Sequence, residues 1–366
     1  MATITASDGA TLYYEETGTG RPIVLIPGWT MSTRFFDRNA GPLGEDHRVI
    51  VLDPRGHGQS EKVDYGLRIP RYSKDVYDLL EALDLEDAIL VGWSLGASVL
   101  MSFYGLFGAH RVSGFAFVDQ TPKNANRDGW ELGVPGVTAE TSTNVSMILD
   151  DRAALVEAFV PKMFHQVPGE EDLAWMKAEA FKCPDSTAAT LMLNHRAQDW
   201  RDVIERFNAP LLVMAGAKSE ICPFGSSEWI AENAPNAELV TFEESGHCPF
   251  WEEAEKFNAT LRRFAAGTDG LPDPNPSRAI GSARLSVTGS GLSRISFSSA
   301  YSSISSSMCS PGSTSSAWRC GQARSGPISP GGSSRLTHWR NPRSSSTRCW
   351  RPRSSGSTAG SSITCW

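Results

Sequence analysis

The sequence predicts an α/β protein with a mostly parallel, twisted sheet, helices on both faces and a helical cap over one edge. Three observations carry that reading. Short apolar runs of strand length recur through the first 266 residues, and segments with apolar residues at helical spacing separate them. One long interval, residues 121–208, breaks the alternation with loops and helices alone.

Taken in order, residues 11–16 alternate polar and apolar side chains and read as an edge strand. Residues 22–26 (PIVLI) and 48–52 (RVIVL) are continuous apolar runs, the pattern of strands buried on both faces, and 88–91, 115–118, 210–215 and 238–242 repeat it. Helices are expected at 72–83, 95–107, 228–233 and 252–264. In such an alternation, reactive groups collect beyond the carboxyl ends of the strands. Residues 1–120 and 209–266 therefore form the expected core, and 121–208, rich in Met, Trp and Phe, the expected cap above that edge.

The chain of 366 residues carries a formal net charge of −7, but its two ends differ. Residues 267–366 hold eleven arginines, no lysine, and only Asp269 and Asp273 as acids, amid Ser, Gly and Pro without periodicity. That composition buries too little apolar surface to offset chain entropy, so the expectation is a disordered, functionally silent tail. Its Arg usage resembles a GC-rich gene translated in a wrong frame; the rival reading is a nucleic-acid arm using Trp318, Trp339, Trp350 and Trp366. The remainder is acidic, which argues against binding a phosphate backbone. Cys183, Cys222 and Cys248 lack metal-ligand spacing and disulfide density. There is no basic start with an apolar run to follow and no membrane-length apolar stretch, so a cytoplasmic protein without membrane or metal partners is expected.

The chemistry concentrates at residues 88–97, AILVGWSLGA, where a strand runs into Gly92-Trp93-Ser94-Leu95-Gly96 and then a helix. This is a G-x-S-x-G nucleophile elbow in strand-turn-helix context: a strained turn exposes the Ser94 hydroxyl, and the helix N-terminus favours negative charge there. With Asp53-Pro54-Arg55-Gly56-His57-Gly58-Gln59-Ser60 and the later Gly246-His247, Pro249 and Glu252, the chain resembles the α/β-hydrolase superfamily over about residues 8–266.

The resemblance implies roles residue by residue. His247, after the last strand, is the general base for Ser94. The amides of Leu95 and Trp29 form the oxyanion hole, although Pro27 stands where most relatives carry His. The acid departs from the pattern: in the segment Gly216 to Pro223, Ser219 occupies the place many relatives give to Asp. Asp119, ending the strand at 115–118, and Glu220 remain as alternative acids, with Asp119 favoured because the sheet alone fixes its direction. His47, His57 and His110 read as structural; His165 and His195 lie in the cap. Trp93, Phe35, Met147, Met163 and Trp175, with Met192, are candidate walls of an apolar substrate pocket, or ordinary packing.

The expected activity is hydrolysis of a carboxylic ester or lactone of a hydrophobic small molecule through an acyl-enzyme, without cofactor or metal. Two alternatives stand beside it. Pro27-Gly28-Trp29 with Asp119 and Ser219 is similar to cofactor-free ring-cleaving dioxygenases, though this chain has Trp93, Leu95 and Thr30 where those carry histidines. A receptor that kept the fold and lost turnover is the other. Perhydrolysis, implied by likeness to cofactor-free haloperoxidases, needs no different residues.

Overall fold

The computed structural model describes residues 2–141 and 145–268. The expected tail, beginning at 267, lies outside them apart from its first two residues.

Eight strands form one sheet: β1 Ala2–Thr5, β2 Thr11–Thr17, β3 Pro22–Ile26, β4 Arg48–Leu52, β5 Ala88–Trp93, β6 Val112–Val118, β7 Leu211–Gly216 and β8 Ala237–Phe242. Their spatial order is β1-β2-β4-β3-β5-β6-β7-β8. Pairing is antiparallel from β1 to β2 and from β2 to β4, and parallel everywhere else. One expectation is corrected here. Residues 11–16 are not at the edge, because β1 pairs outside them through a turn in which Gly9 donates its N–H to the Ala6 carbonyl.

The helices are α1 Asp37–Leu43, α2 Ile69–Ala82, α3 Leu95–Phe107, α4 Ser146–Asp150, α5 Arg152–Lys162, α6 Glu170–Phe181, α7 Asp185–Arg196, α8 Arg201–Ile204, α9 Phe224–Asn233, α10 Pro249–Glu252 and α11 Ala254–Gly267. The single helix expected at 252–264 is thus two, broken at Glu253. No long regular strand occurs between β6 and β7 among the described residues, where α4 to α8 lie.

The continuous apolar runs now have their reason. Val24, Ile50, Leu90, Phe115, Leu211 and Val213 pack on one face with α2 and α3. Ile23, Val49, Val91, Ala116 and Leu212 pack on the other with α11 residues Phe257 and Leu261. Successive strand residues point to opposite faces, so a strand covered on both sides has no polar position to spare. With the sheet fixed in this way, the ends of β3, β5, β6 and β7 lie side by side.

Candidate active site

Ser94 follows β5 and caps α3 with φ 54° and ψ −119°. The two glycines of the elbow are explained by close approach: a Cβ on Gly92 would lie 2.4 Å from the Gly96 carbonyl, and one on Gly96 would lie 2.3 Å from the Ile26 carbonyl. The turn after β3 comes equally near, since a Cβ on Gly28 would sit 3.2 Å from the Ser94 Cβ. Leu95 is the first residue of α3, so its N–H has no intrahelical acceptor. Trp29 follows Gly28 in a turn closed by the Met31 N–H on the Gly28 carbonyl.

Asp119 extends β6 by one residue, beside Ser94 in the sheet. Trp93 pairs with Val118, the Ser94 N–H donates to the Val118 carbonyl at 2.9 Å, and the Asp119 N–H donates to Met214 at 2.8 Å. Its carboxylate is fully engaged. His247 Nδ1 donates to Oδ2 at 2.6 Å, the Ser219 hydroxyl donates to the same oxygen at 2.7 Å, and the Gly216 N–H reaches Oδ1 at 3.3 Å. Because the partner of Nδ1 is a carboxylate, Nδ1 carries the proton and Nε2 is left with a free lone pair. Both Asp119 and His247 are buried.

Two further contacts hold the His247 loop. Its N–H donates to the Met163 carbonyl at the end of α5 (2.7 Å), and its own carbonyl accepts from Trp93 Nε1 (2.8 Å) while the Trp93 and His247 rings lie 5.5 Å apart. Trp93 immediately precedes Ser94, which brings hydroxyl and imidazole to one region of the sheet edge. Among the described residues no hydrogen bond joins Ser94 Oγ to His247 Nε2; in sites without substrate this bond is often long.

Several expectations change. Glu220 does not face the imidazole: its side chain is 73% exposed and its nearest cation is Lys162 Nζ at 3.8 Å. Phe35 and Trp93 are fully buried against each other, and Trp93 also packs on Phe250, so they support the site from beneath and line no open pocket. Met163 is likewise buried and acts through its carbonyl. Met147 lies on α4 with a side chain 48% exposed. Trp175 is partly buried, stacked under Arg34 and against Phe35 and Trp251.

Two other buried histidines make structural contacts. His57 Nδ1 donates to the Arg55 carbonyl at 2.9 Å, and burial pushes its pKa down to about 4. His195 Nε2 takes the Ser98 hydroxyl at 3.0 Å, and burial pushes it down to about 3. Asp53 joins the loops after β3 and β4, accepting from the Thr33 N–H (2.7 Å) and the Gln59 N–H (2.6 Å). Arg55 is held by Asp75 through two 2.6 Å bonds.

Sequence reasoning missed Cys222, whose Sγ lies within 4.8 Å of ligand atoms of both Asp119 and His247. Burial and the Asp119 charge push this thiol well above its usual range, so it stays protonated. A thiol, a carboxylate and an imidazole are an acceptable donor set for a soft cation, but here Nδ1 and the carboxylate already satisfy each other.

The arrangement suits acyl transfer: a hydroxyl on a strained turn, an oriented imidazole with a free Nε2, and a helix N-terminus aimed at developing charge. Comparisons agree with the fold. A pimeloyl-[acyl-carrier protein] methyl ester esterase from Nitrosomonas europaea is 28% identical over 68% of this chain and 97% of its own length. Non-heme chloroperoxidase CPO-A1 from Kitasatospora aureofaciens is 28% identical over 72% of this chain and 99% of its own. The solved esterase EaEST from Exiguobacterium antarcticum superposes with TM-score 0.69 at 28% identity, covering 72% of this chain and 98% of that one. In all three, nearly the whole relative is matched by part of this sequence. No described helix is long and apolar enough to cross a membrane. The model of the alpha/beta hydrolase fold matches residues 21–254, and with that match the chain belongs to the alpha/beta hydrolase fold family.

Proposed function

We propose that the protein is a serine hydrolase that cleaves carboxylic esters or lactones of small molecules through an acyl-enzyme on Ser94. The observation that carries this reading is the 2.6 Å bond from His247 Nδ1 to Asp119, which leaves Nε2 free to act as a base. In the first step the Ser94 hydroxyl adds to the carbonyl carbon and His247 Nε2 takes its proton. The oxygen, now negative, accepts from the amides of Leu95 and Trp29. As the tetrahedral species collapses, the C–O bond to the alcohol breaks and the imidazolium returns the proton to the leaving oxygen. Water then repeats the sequence on the acyl-enzyme. Asp119 keeps the imidazole in the reactive tautomer and offsets its charge when protonated.

Kinship with esterases supports this activity, and kinship with haloperoxidases supports perhydrolysis as a side reaction of the same residues. The test is a serine-directed aryl phosphonate with an activated aryl ester. A stoichiometric adduct on Ser94 and loss of ester cleavage in Ser94→Ala are expected. Absence of both burst and adduct favours a receptor, and oxygen uptake with a quinolone-type substrate favours the dioxygenase reading.

A further inference from the structure

We propose that Arg152 anchors a carboxylate on the acyl part of the substrate, so that the preferred esters are half-esters or lactones derived from dicarboxylic acids. This rests on the ester-hydrolase reading above and extends it to substrate class.

Arg152 opens α5 and is only 6% exposed. A buried guanidinium normally has its N–H groups filled by carboxylates, because removing a cation from water costs several kcal/mol unless hydrogen bonds replace its hydration. Here Nη2 donates to the Ala180 carbonyl at 3.2 Å, while Nε and Nη1 have no hydrogen-bond partner. The nearest carboxylate, Asp185 Oδ1, stays 3.8 Å from Nε, outside hydrogen-bond distance, on a half-exposed side chain. Burial lowers the pKa of the guanidinium, as expected of a cation short of partners, but an arginine remains charged.

The position of this cation gives it a use. The guanidinium carbon lies 4.8 Å from the Trp29 ring, and Trp29 is the residue whose amide faces the expected oxyanion. The indole is pinned, with Nε1 donating to the Ala188 carbonyl at 3.0 Å and Phe159 packed edge-on at 5.9 Å. Next to it, Thr30 is buried with a left-handed backbone and a hydroxyl that has no partner. His57 Nε2, also buried, is without one too, and Arg152 is among the charges that act on that imidazole. The residue after Trp29 and the guanidinium on its ring therefore both carry unfilled polar atoms. Nε and Nη1 lie on different edges of the guanidinium, but each shares its edge with Nη2, and either of them together with the second Nη2 hydrogen forms the fork that matches the two oxygens of a carboxylate. A distal carboxylate separated from the scissile carbonyl by a flexible chain would fit this layout, whereas a neutral acyl chain would leave the cation unpaired.

The rival occupant is ordered water, which also satisfies orphaned buried groups. The experiment compares mono-4-nitrophenyl adipate and suberate with 4-nitrophenyl hexanoate and octanoate. In the wild-type protein the anionic ester is expected to have at least about tenfold higher kcat/KM than its neutral partner, the range of one charge-assisted bond. In Arg152→Met the ratio should fall to about one, and in Arg152→Lys, which keeps the charge but loses the fork, it should lie between. As a check independent of turnover, monomethyl suberate should raise the Tm of Ser94→Ala and should not raise that of Ser94→Ala with Arg152→Met. Equal ratios in the wild type, or a ratio unchanged in both Arg152 variants, overturn the anchor while leaving ester hydrolysis intact. Arg152-dependent binding of the half-ester without cleavage of any ester sustains the anchor and sinks the hydrolase reading. Failure to bind and to cleave removes both.

Discussion

Among the described residues, six that are not glycine have a left-handed φ, and three of these, Thr30, Ser94 and Asp119, surround the candidate site. Such conformations cost of order 1–3 kcal/mol each and persist where function holds them. Ser94, with ψ −119°, lies in the region that only glycine enters freely. Ser94→Gly should therefore abolish ester cleavage and raise stability by about 1 kcal/mol, since relief of strain exceeds glycine's extra unfolded-state entropy. A Tm increase of about 2–4 °C by calorimetry would show it; a decrease would mean that the turn is not strained. The acid makes a second prediction. Asp119→Asn should lower kcat by about 10³–10⁴ with little change in fold, whereas Glu220→Gln should change it less than about twofold, as steady-state kinetics on an aryl ester would measure. Restoration of the normal rate in Asp119→Asn would return the role to another carboxylate. The elbow was legible because two glycines mark it. The meaning of Ser219 was not: it stands where relatives carry the acid, and only the adjacency of β6 and β7 reveals that its hydroxyl serves Asp119 at 2.7 Å.

Between elements, one carboxylate joins the His247 loop to the helical segment above. Glu252, at the end of α10, accepts from the Gly246 N–H at 2.8 Å and from the N–H groups of His165 and Gln166, just past α5, at 2.7 and 2.9 Å. Burial pushes its pKa up despite those three donors. Glu252→Ala should cost about 1–3 kcal/mol by urea unfolding, since the released amides must find water. It should also lower kcat more than it raises KM, by about tenfold or more, because the imidazole loses its placement without losing any substrate contact. Equal activity in the variant would show that the Met163 and Trp93 contacts suffice to fix the loop. Four strands of the parallel core were readable to within one residue, and β5 and β6 ran two and three residues beyond their expected bounds; burial on two faces forces an apolar run that no other element of that length requires. β1, four residues with two threonines, and α1, interrupted by Gly41 and Pro42, gave no such signal. Their partners in the fold make them, not their own periodicity. The pocket walls failed for a related reason: an aromatic residue near the elbow in sequence, such as Trp93, is as easily packed beneath a site as exposed within it.

For the molecule as a whole, the two buried histidines tie stability to pH. Burial holds His57 near 4 and His195 near 3, against about 6.5 for the unfolded chain. Well above pH 6.5 both are neutral in either state and contribute no pH dependence. As pH falls through about 6.5, the unfolded chain binds protons that the native protein refuses, so stability is lost progressively until each folded pKa is reached. Each histidine removes up to about 1.4 kcal/mol per pH unit in that window, so together they should weaken the fold by about 3 kcal/mol between about pH 6.5 and pH 5. At the acid end the carboxyls act in both directions: Asp53, Asp75 and Glu252, raised by burial, favour the native state on protonation, whereas Asp199 and Glu81, held low by hydrogen bonds to Arg201 and His110, disfavour it. The expected curve of unfolding free energy is therefore nearly flat from about pH 8 to 7 and falls steeply toward about pH 5. Urea titrations of the wild type, His57→Gln and His195→Gln at intervals of about half a pH unit would measure it. Each variant should lose about half of the steep slope whatever its stability at neutral pH, and slopes equal to the wild type's would mean that these imidazoles take up protons within the folded protein.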